Sequence, residues 1–497
     1  MPSQPQQSRV AFFVFITATA ICSAAGDESP TEQSQKRPPN VVMFIVDDLG
    51  QRDLGCYGSN FHETPHIDRL AANGVRLTHA YSACPVCSPT RASLVTGLYP
   101  QRTGITDYIG AAQPEAWKRN TRHLPAPYAT HLALEHVTIA KRLKAAGYAT
   151  FFAGKWHLGG DGFLPEDQGF DINLGGTAQG GPYGGKKYFS PYGNPKLSDG
   201  PPGEHLPDRL ATEAVRFMEQ HREQPFLIWL PFYSVHTPLM ARPDLEQKYL
   251  AKRALLDVVD QFADEPPRRV RMSQDHAVYA GMVEAVDQAV GKVLQRLDEL
   301  QLEQNTLVIF TSDNGGLSTS EGSPTSNHPL RAGKGWLYEG GIRTAAILSM
   351  PGRLPAGSVS DHPAISCDYV PTILDACRID SSKALLDGIS LLPALQQDAP
   401  NASRSLFWHY PHYGNQGGAP GAAVLQDGWK LIEWFEDGAI ELFYLPEDPS
   451  ERVNLATEQV ARAAELRQRL HLWQTSVQAI STSANPNWDP QKPNGRR

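Results

Sequence analysis

Asn40-Val41-Val42-Met43-Phe44-Ile45-Val46 is a short apolar run with several β-branched residues, and Asp47-Asp48 follows it directly. A short apolar run without polar alternation reads as a buried strand. Two later stretches repeat the design. Phe226 to Phe232 is apolar and leads towards His236, and Thr306-Leu307-Val308-Ile309-Phe310 leads to Asp313-Asn314. Tyr148 to Ala153 is a further strand candidate, and it runs into Gly154-Lys155-Trp156-His157.

Helical spacing fills the intervals. Thr64 to Asn73 stops at Gly74, and Thr138 to Ala146 carries Ile139, Leu143 and Ala146 on one face before Gly147. Asp208 to His221 and Ser273 to Leu300 are further helices. Strands alternating with helices predict an α/β fold with a large, mostly parallel mixed sheet flanked by helices. Polar residues gather just after several strands, at the sheet edge where α/β proteins bind ligands. Beyond about residue 380 the pattern changes. Leu406 to Tyr410, Ala422 to Val424, Trp429 to Phe435 and Leu442 to Leu445 are short strand candidates, followed by a helix from Glu458 to about Gln474. They predict a smaller antiparallel sheet plus a helix. The expected organisation is a main domain over 40–380, a smaller one over 381–482 and a loose tail over 483–497.

The 497-residue chain has a formal charge of −8 and no basic run, which argues against nucleic-acid binding. Arg9 precedes a short apolar run, Val10 to Ala20, and small residues follow at Ser23-Ala24-Ala25. The run is too short to span a membrane and fits an export signal cleaved after Ala25. Export predicts a periplasmic, secreted or lysosome-like location with no integral membrane segment after cleavage. Cys22 alone would suggest a lipoprotein, but Ile21 is large for the preceding position. Asp27 to Pro39 is polar and reads as a linker, residues 26–39 in all. Cys56, Cys84, Cys367 and Cys377 could form two disulfides in an exported protein, with pairing undetermined. Asn401-Ala402-Ser403 is a glycosylation-type triplet.

Adjacent carboxylates repel unless a cation lies between them. Asp47-Asp48 and Asp313-Asn314, both placed after apolar strands, therefore suggest a metal. Hard oxygen donors favour Ca²⁺, with Mg²⁺ second. Lys155 and His157 are two residues apart and share a face in extended backbone. The most telling segment is Cys87-Ser88-Pro89-Thr90-Arg91, running into Ala92-Ser93-Leu94-Val95-Thr96-Gly97. A cysteine at a helix N-terminus faces unpaired N–H groups that favour anions, and Arg91 adds a permanent cation. Cys84 and Cys87 also form a Cys-x-x-Cys. A zinc site would need a second pair of ligands at similar spacing, and a thioredoxin-like pair would belong to a small domain.

The Cys-x-Pro-x-Arg segment resembles the signature of the type I sulfatases of the alkaline phosphatase superfamily. Gly154-Lys155-Trp156-His157-Leu158-Gly159, His236-Thr237-Pro238 and Leu330-Arg331-Ala332-Gly333-Lys334-Gly335 extend the resemblance, which spans Asn40 to about Met350 and continues weakly to Leu455. It implies an alkaline phosphatase-like fold and a sulfatase whose Cys87 is oxidised to formylglycine by a separate maturation enzyme. The implied metal ligands are Asp47, Asp48, Asp313, Asn314 and the converted Cys87. The hydrated aldehyde attacks sulfur, Lys155 and Lys334 neutralise sulfate, His236 protonates the leaving alcohol, His157 removes the last proton and Arg91 holds the nucleophile. Export suggests sulfate esters of extracellular carbohydrates. The aromatic stretch Trp408 to Gly418 suggests His409 and His412 as substrate contacts. Two alternatives stay open: a phosphate or phosphonate monoester hydrolase of the same superfamily, and a non-catalytic carbohydrate-binding relative in which Cys87 is not converted.

Overall fold

A computed structural model describes Val10, Ala11 and residues 37–182, 187–256, 261–396 and 403–492. The expected export signal, most of the linker and Asn401-Ala402 lie outside the described residues.

The strands that build the main sheet are β1 (Asn40–Val46), β2 (Val75–Tyr81), β3 (Ala149–Ala153), β4 (Ile172–Leu174), β5 (Phe226–Pro231), β6 (Thr306–Ser312), β7 (Arg343–Ser349), β8 (Ser358–Ser360) and β9 (Ala364–Ile365). Their order is β8-β2-β7-β6-β1-β5-β3-β4, with β9 beside β2, nine strands in all. β1 lies at the centre and pairs in parallel with β5 and β6, Val41 standing opposite both Leu227 and Leu307. β7 runs antiparallel to β6 and β2.

Every residue of β1 is buried. Val42, Phe44 and Val46 point into one core, and Val41, Met43 and Ile45 into another. The absence of polar alternation thus has a direct cause: both faces are covered. The covering helices are α1 (Pro65–Ala72), α2 (Cys87–Thr96), α3 (Leu206–Gln220), α4 (Ala277–Glu299) and α5 (Tyr369–Ala376). Leu210 of α3 and Val283 of α4 lie in the first core, and Leu94 of α2 and Ile373 of α5 in the second. Truncating Phe44 to Ala costs about 3–5 kcal/mol at such a site.

The second sheet is β10 (Ser405–Tyr410), β11 (Gly421–Gln426), β12 (Trp429–Trp434) and β13 (Ile440–Tyr444), antiparallel throughout. Helix α6 (Val460–Ser476) covers it through Leu466, Leu470 and Trp473. Their core also takes in Tyr81 at the end of β2, and Cys84 and Trp336 from the main sheet's loops. Pro38–Arg497 is therefore one compact unit, and the change near residue 380 is a change of sheet within it.

The described tail is not loose. Ser483–Ala484 pairs with His123–Leu124, and Asn485 N–H donates to the Arg122 carbonyl. Trp488 packs under the Arg122 guanidinium, a cation–π contact that adds to the backbone bonds. Cys56, Cys84, Cys87, Cys367 and Cys377 are all free thiols. No helix among the described residues is long and apolar enough to cross a membrane.

Candidate active site

Parallel strands deliver their C-terminal ends to one sheet edge, and the polar residues expected from the sequence meet there. β1 ends in Asp47 and Asp48, β6 in Asp313 and Asn314, and β3 leads to Lys155 and His157. β5 leads to His236. Because β7 is antiparallel, its start lies at the same edge, so the loop before it brings Lys334. Gly154 makes the turn out of β3 at φ +127°, and a Cβ there would overlap the Pro231 carbonyl. Lys155 N–H donates to that carbonyl at 2.8 Å, which fixes where the lysine leaves the sheet.

The charges interlock. Lys155 Nζ lies 2.6 Å from Asp47 Oδ2, and Lys334 Nζ 2.7 Å from Asp48 Oδ2. Arg91 grips Asp313 Oδ2 through Nε at 2.8 Å and its terminal nitrogen at 2.7 Å. The other terminal Arg91 nitrogen donates to the Lys155 carbonyl at 2.9 Å. Asn314 Nδ2 donates to Asp48 Oδ1 at 2.8 Å. Burial, followed by the Asp313 carboxylate, pushes Asp47 well above its ordinary value. Burial acts the same way on Asp48 and Asp313, but neighbouring cations outweigh it. Lys334 leads in holding Asp48 low, and Arg91 leads in holding Asp313 low.

Asp47, Asp48 and Asp313 each offer an oxygen within 4.8 Å of the others. Asp47 Oδ1 and Asn314 Oδ1 are buried without a hydrogen-bond partner. Orphaned oxygens beside a carboxyl held against ionisation are what a bound cation relieves. The donors are all hard oxygens, so the residues fit a divalent cation of the Ca²⁺ or Mg²⁺ type.

Helix α2 begins at Cys87, whose side chain faces this cluster. Arg91 follows at i+4, on the same helix face. Burial raises the thiol's pKa, although Lys155 and Lys334 pull the other way. An unmodified thiol here stays protonated and is a weak nucleophile. His157 Nδ1 lies 3.4 Å from Cys87 Sγ, and Nε2 lies 2.8 Å from the Ile109 carbonyl. A carbonyl only accepts, so Nε2 carries the proton and the Nδ1 lone pair faces Cys87. Burial, then Lys155, lowers the His157 pKa well below its ordinary value, so the ring is neutral. Gly180 closes against this imidazole, and a Cβ there would come within 2.6 Å of Cε1.

His236 Nε2 stands 3.8 Å from Asp48 Oδ2, and Nδ1 donates to the Thr237 carbonyl at 2.6 Å. Burial and then Lys334 push its pKa down to about 3. Asp48 outweighs burial at Lys334 and keeps that ammonium protonated.

Cys87, His157, His236 and Lys334 open into a pocket of about 330 Å³. Its walls include Tyr108, Ile109, Gly180, Glu321, Asn415 and Gln416, none of which the sequence reading singled out as a site residue. Asn415 and Gln416 lie inside the aromatic stretch that was suspected, but the suspected histidines do not reach the pocket. His409 Nε2 meets the Ile480 carbonyl at 2.9 Å, and its Nδ1 meets Gln474 Nε2 at 3.0 Å. Both nitrogens are spent on α6 and its following turn. His412 is buried, with Nε2 2.9 Å from Thr106 Oγ1. β10 and its loop turn these rings inward, away from the pocket, and residue type carries no such direction. Ile109 acts through its backbone oxygen, which has no sequence signal.

A family model described as Sulfatase matches residues 39–379, and one described as N-sulphoglucosamine sulphohydrolase, C-terminal, matches residues 332–478. A protein named Sulfatase from Formosa agariphila is 30% identical, over 94% of this chain and 93% of its own. Arylsulfatase A from Homo sapiens is 31% identical, over 81% of this chain and 76% of its own. The crystal structure of Ps i-CgsB in complex with k-i-k-neocarrahexaose superposes with a TM-score of 0.71 at 28% identity, covering 88% of this chain and 93% of that one. The first family match contains both acidic strand ends, Cys87, the two lysines and the two histidines of the pocket floor. The chain belongs to the sulfatase family of the alkaline phosphatase superfamily and is a hydrolase of sulfate esters.

Proposed function

We propose that this enzyme removes sulfate from extracellular carbohydrates, using formylglycine made from Cys87 and a divalent cation, Ca²⁺ before Mg²⁺. The observation that carries the proposal is the facing pair of Cys87 Sγ and the His157 Nδ1 lone pair, set over an acidic cluster with orphaned oxygens. The carbohydrate reading draws support from the carrageenan-type hexaose held by the structural relative at 28% identity. It also draws support from a pocket volume close to the lower end for small ligands, about 300 Å³.

The cation would sit among Asp47, Asp48, Asp313 and Asn314, where it supplies Lewis acidity towards a sulfate oxygen and acidifies a hydroxyl. The converted Cys87 side chain supplies two hydroxyls in its hydrated form, one to attack and one to release the product. Lys155 and Lys334 neutralise charge on the sulfate as the ester bond breaks. His157 accepts a proton at Nδ1 from the converted side chain, and the Ile109 carbonyl keeps its other nitrogen protonated. Lys334 already carries a proton that can pass to the leaving oxygen. His236 is neutral in the free enzyme, and an arriving anion favours its protonated form, so it joins Lys334 as a donor. Arg91 ties Asp313 to the Lys155 backbone and so keeps Cys87 in register with both.

Export follows from the N-terminal signal, and N-terminal sequencing of the secreted protein reads the expected cleavage after Ala25. The reaction class is tested by comparing sulfate and phosphate esters of one leaving alcohol. The proposal expects the sulfate ester to be turned over faster by at least about tenfold, a difference of about 1.4 kcal/mol in barrier. Faster phosphate turnover would establish the phosphomonoesterase reading instead.

A further inference from the structure

The floor of the pocket is cationic or neutral, but one carboxylate stands at its rim. Glu321 is exposed and is the only acidic residue among the described residues that line the pocket. Its backbone takes φ +53°, a conformation that a non-glycine side chain adopts at a cost of about 1–3 kcal/mol. Three donors from two distant segments then hold the carboxylate. Asn415 Nδ2 and Gln416 Nε2 donate to Oε1 at 3.2 and 3.1 Å, and Thr237 Oγ1 donates to Oε2 at 3.2 Å. Gln416 is itself fixed, because its carbonyl accepts from Thr319 Oγ1 at 3.0 Å and Trp336 Nε1 at 3.1 Å.

A negative charge at the mouth of an anion site opposes every substrate of the enzyme. Its placement therefore calls for a compensating contact. A carboxylate accepts about four hydrogen bonds, and Glu321 has used two on Oε1 and one on Oε2. The remaining position on Oε2 suits a hydroxyl or N–H donor of the substrate. A second sulfate or carboxylate brought against that carboxylate would meet like charge, which disfavours it strongly.

Resting on the carbohydrate-sulfatase reading, we propose that Glu321 is a specificity-determining residue. It accepts a hydrogen bond from a sugar hydroxyl or amide next to the scissile ester, and it excludes a second anionic group from that position. The substrate class is therefore a sugar with one sulfate in the pocket and a free donor group beside it.

The test compares kcat/KM for monosulfated galactose and N-acetylglucosamine with their disulfated counterparts, in the wild type, E321Q and E321K. 4-Nitrophenyl sulfate, which has no sugar donor, reports the general effect of the charge change. The wild type is expected to prefer the monosulfated sugars. E321Q reduces that preference by about tenfold or more, and E321K reverses it, beyond any change seen with the aryl ester. Because Glu321 is exposed, melting temperatures of both variants are expected to match the wild type. A preference unchanged within about twofold in both variants overturns the role of Glu321 and leaves sulfate-ester hydrolysis standing. Turnover of the aryl sulfate with no turnover of any sugar overturns it equally, together with the carbohydrate reading. Failure of the wild type on every sulfate ester removes the sulfatase reading itself.

Discussion

Two of the buried charge clusters among the described residues differ in a way that separates a site from a strut. The first is Asp47, Asp48 and Asp313 with Arg91, Lys155 and Lys334 at the edge of the main sheet. The second joins the two sheets: Lys430 Nζ lies 3.0 Å from Glu339 Oε1 and 2.8 Å from Glu451 Oε1, and all three residues are fully buried. Glu451 Oε2 accepts from Glu339 N–H at 2.6 Å, while Glu339 Oε2 accepts from Tyr81 at 3.1 Å and Arg343 at 3.4 Å. That cluster encloses its charges, with no side chain of the three reaching solvent. In the first, Asp47 Oδ1 has only an Arg91 nitrogen at 3.6 Å and Asn314 Oδ1 has no hydrogen-bond partner, and the cluster opens beside Cys87, whereas Glu451 Oε1 is closed off by Lys430 Nζ at 2.8 Å. Buried ion pairs alone are weak evidence for either stability or function. Orphaned acceptors beside an open pocket are what distinguish a centre built to hold something else.

The largest effect that sharpens this contrast is on activity. C87S retains one hydroxyl where the proposed mechanism needs two, so kcat for an aryl sulfate is expected to fall by on the order of 10⁴-fold or more. The melting temperature should stay close to the wild type, since the substitution is small. Undiminished turnover by C87S would falsify the nucleophile assignment.

The next effect is on the strut. K430M strands two buried glutamates and costs about 3–5 kcal/mol of stability, read as a fall in denaturation midpoint. Activity at a temperature where the variant is folded should change little. A large loss of kcat with unchanged stability would mean that the junction cluster belongs to the active site after all.

The legibility of the sequence follows the same division. β1, β5 and β6 were readable because both faces are buried, which leaves continuous apolar runs that end in Asx or His. The floor of the site was readable because parallel strands carry those ends to one edge. β2, Val75-Arg76-Leu77-Thr78-His79-Ala80-Tyr81, escaped notice because it mixes polar and apolar residues near the sheet margin. β7 was hidden behind the glycine-rich segment that precedes Arg343. The pocket walls come from loops around Tyr108, Gly180, Glu321 and Asn415, where no periodicity marks a side chain's direction. Glu321 in particular gains its meaning only from Thr237, Asn415 and Gln416.

Cation binding gives a smaller stability effect confined to the first cluster. At a concentration one hundred times the Kd, Ca²⁺ should add about 2.7 kcal/mol, and chelation should remove it along with activity. D47N should abolish this thermal response, whereas K430M should keep it. A response that survives D47N but is lost in K430M would exchange the roles of the two clusters.

The smallest effect concerns Asp107, a buried carboxyl near the pocket wall that belongs to neither cluster. Burial pushes its pKa from 3.8 up to about 7, against hydrogen bonds from Tyr108 N–H and Tyr410. An acid whose pKa rises on folding contributes most when protonated, so its contribution is present below about pH 4 and is lost as pH climbs towards 7. His412 Nδ1, buried without a hydrogen bond, lies 3.6 Å from Asp107 Oδ2. D107N carries no charge and can donate to that nitrogen. It should therefore raise stability by about 1 kcal/mol at pH 8 and by little at pH 4. An equal gain at both pH values would show that the carboxyl's titration is not responsible.

The central claim is that Cys87 faces His157 as a converted nucleophile. The most direct measurement is the mass of the proteolytic peptide containing Cys87, taken from protein exported by its own host. The account predicts loss of the thiol sulfur and gain of an aldehyde oxygen, in proportion to sulfate-ester turnover. An intact Cys87 thiol, or a Cys84–Cys87 disulfide, in fully active enzyme would contradict it.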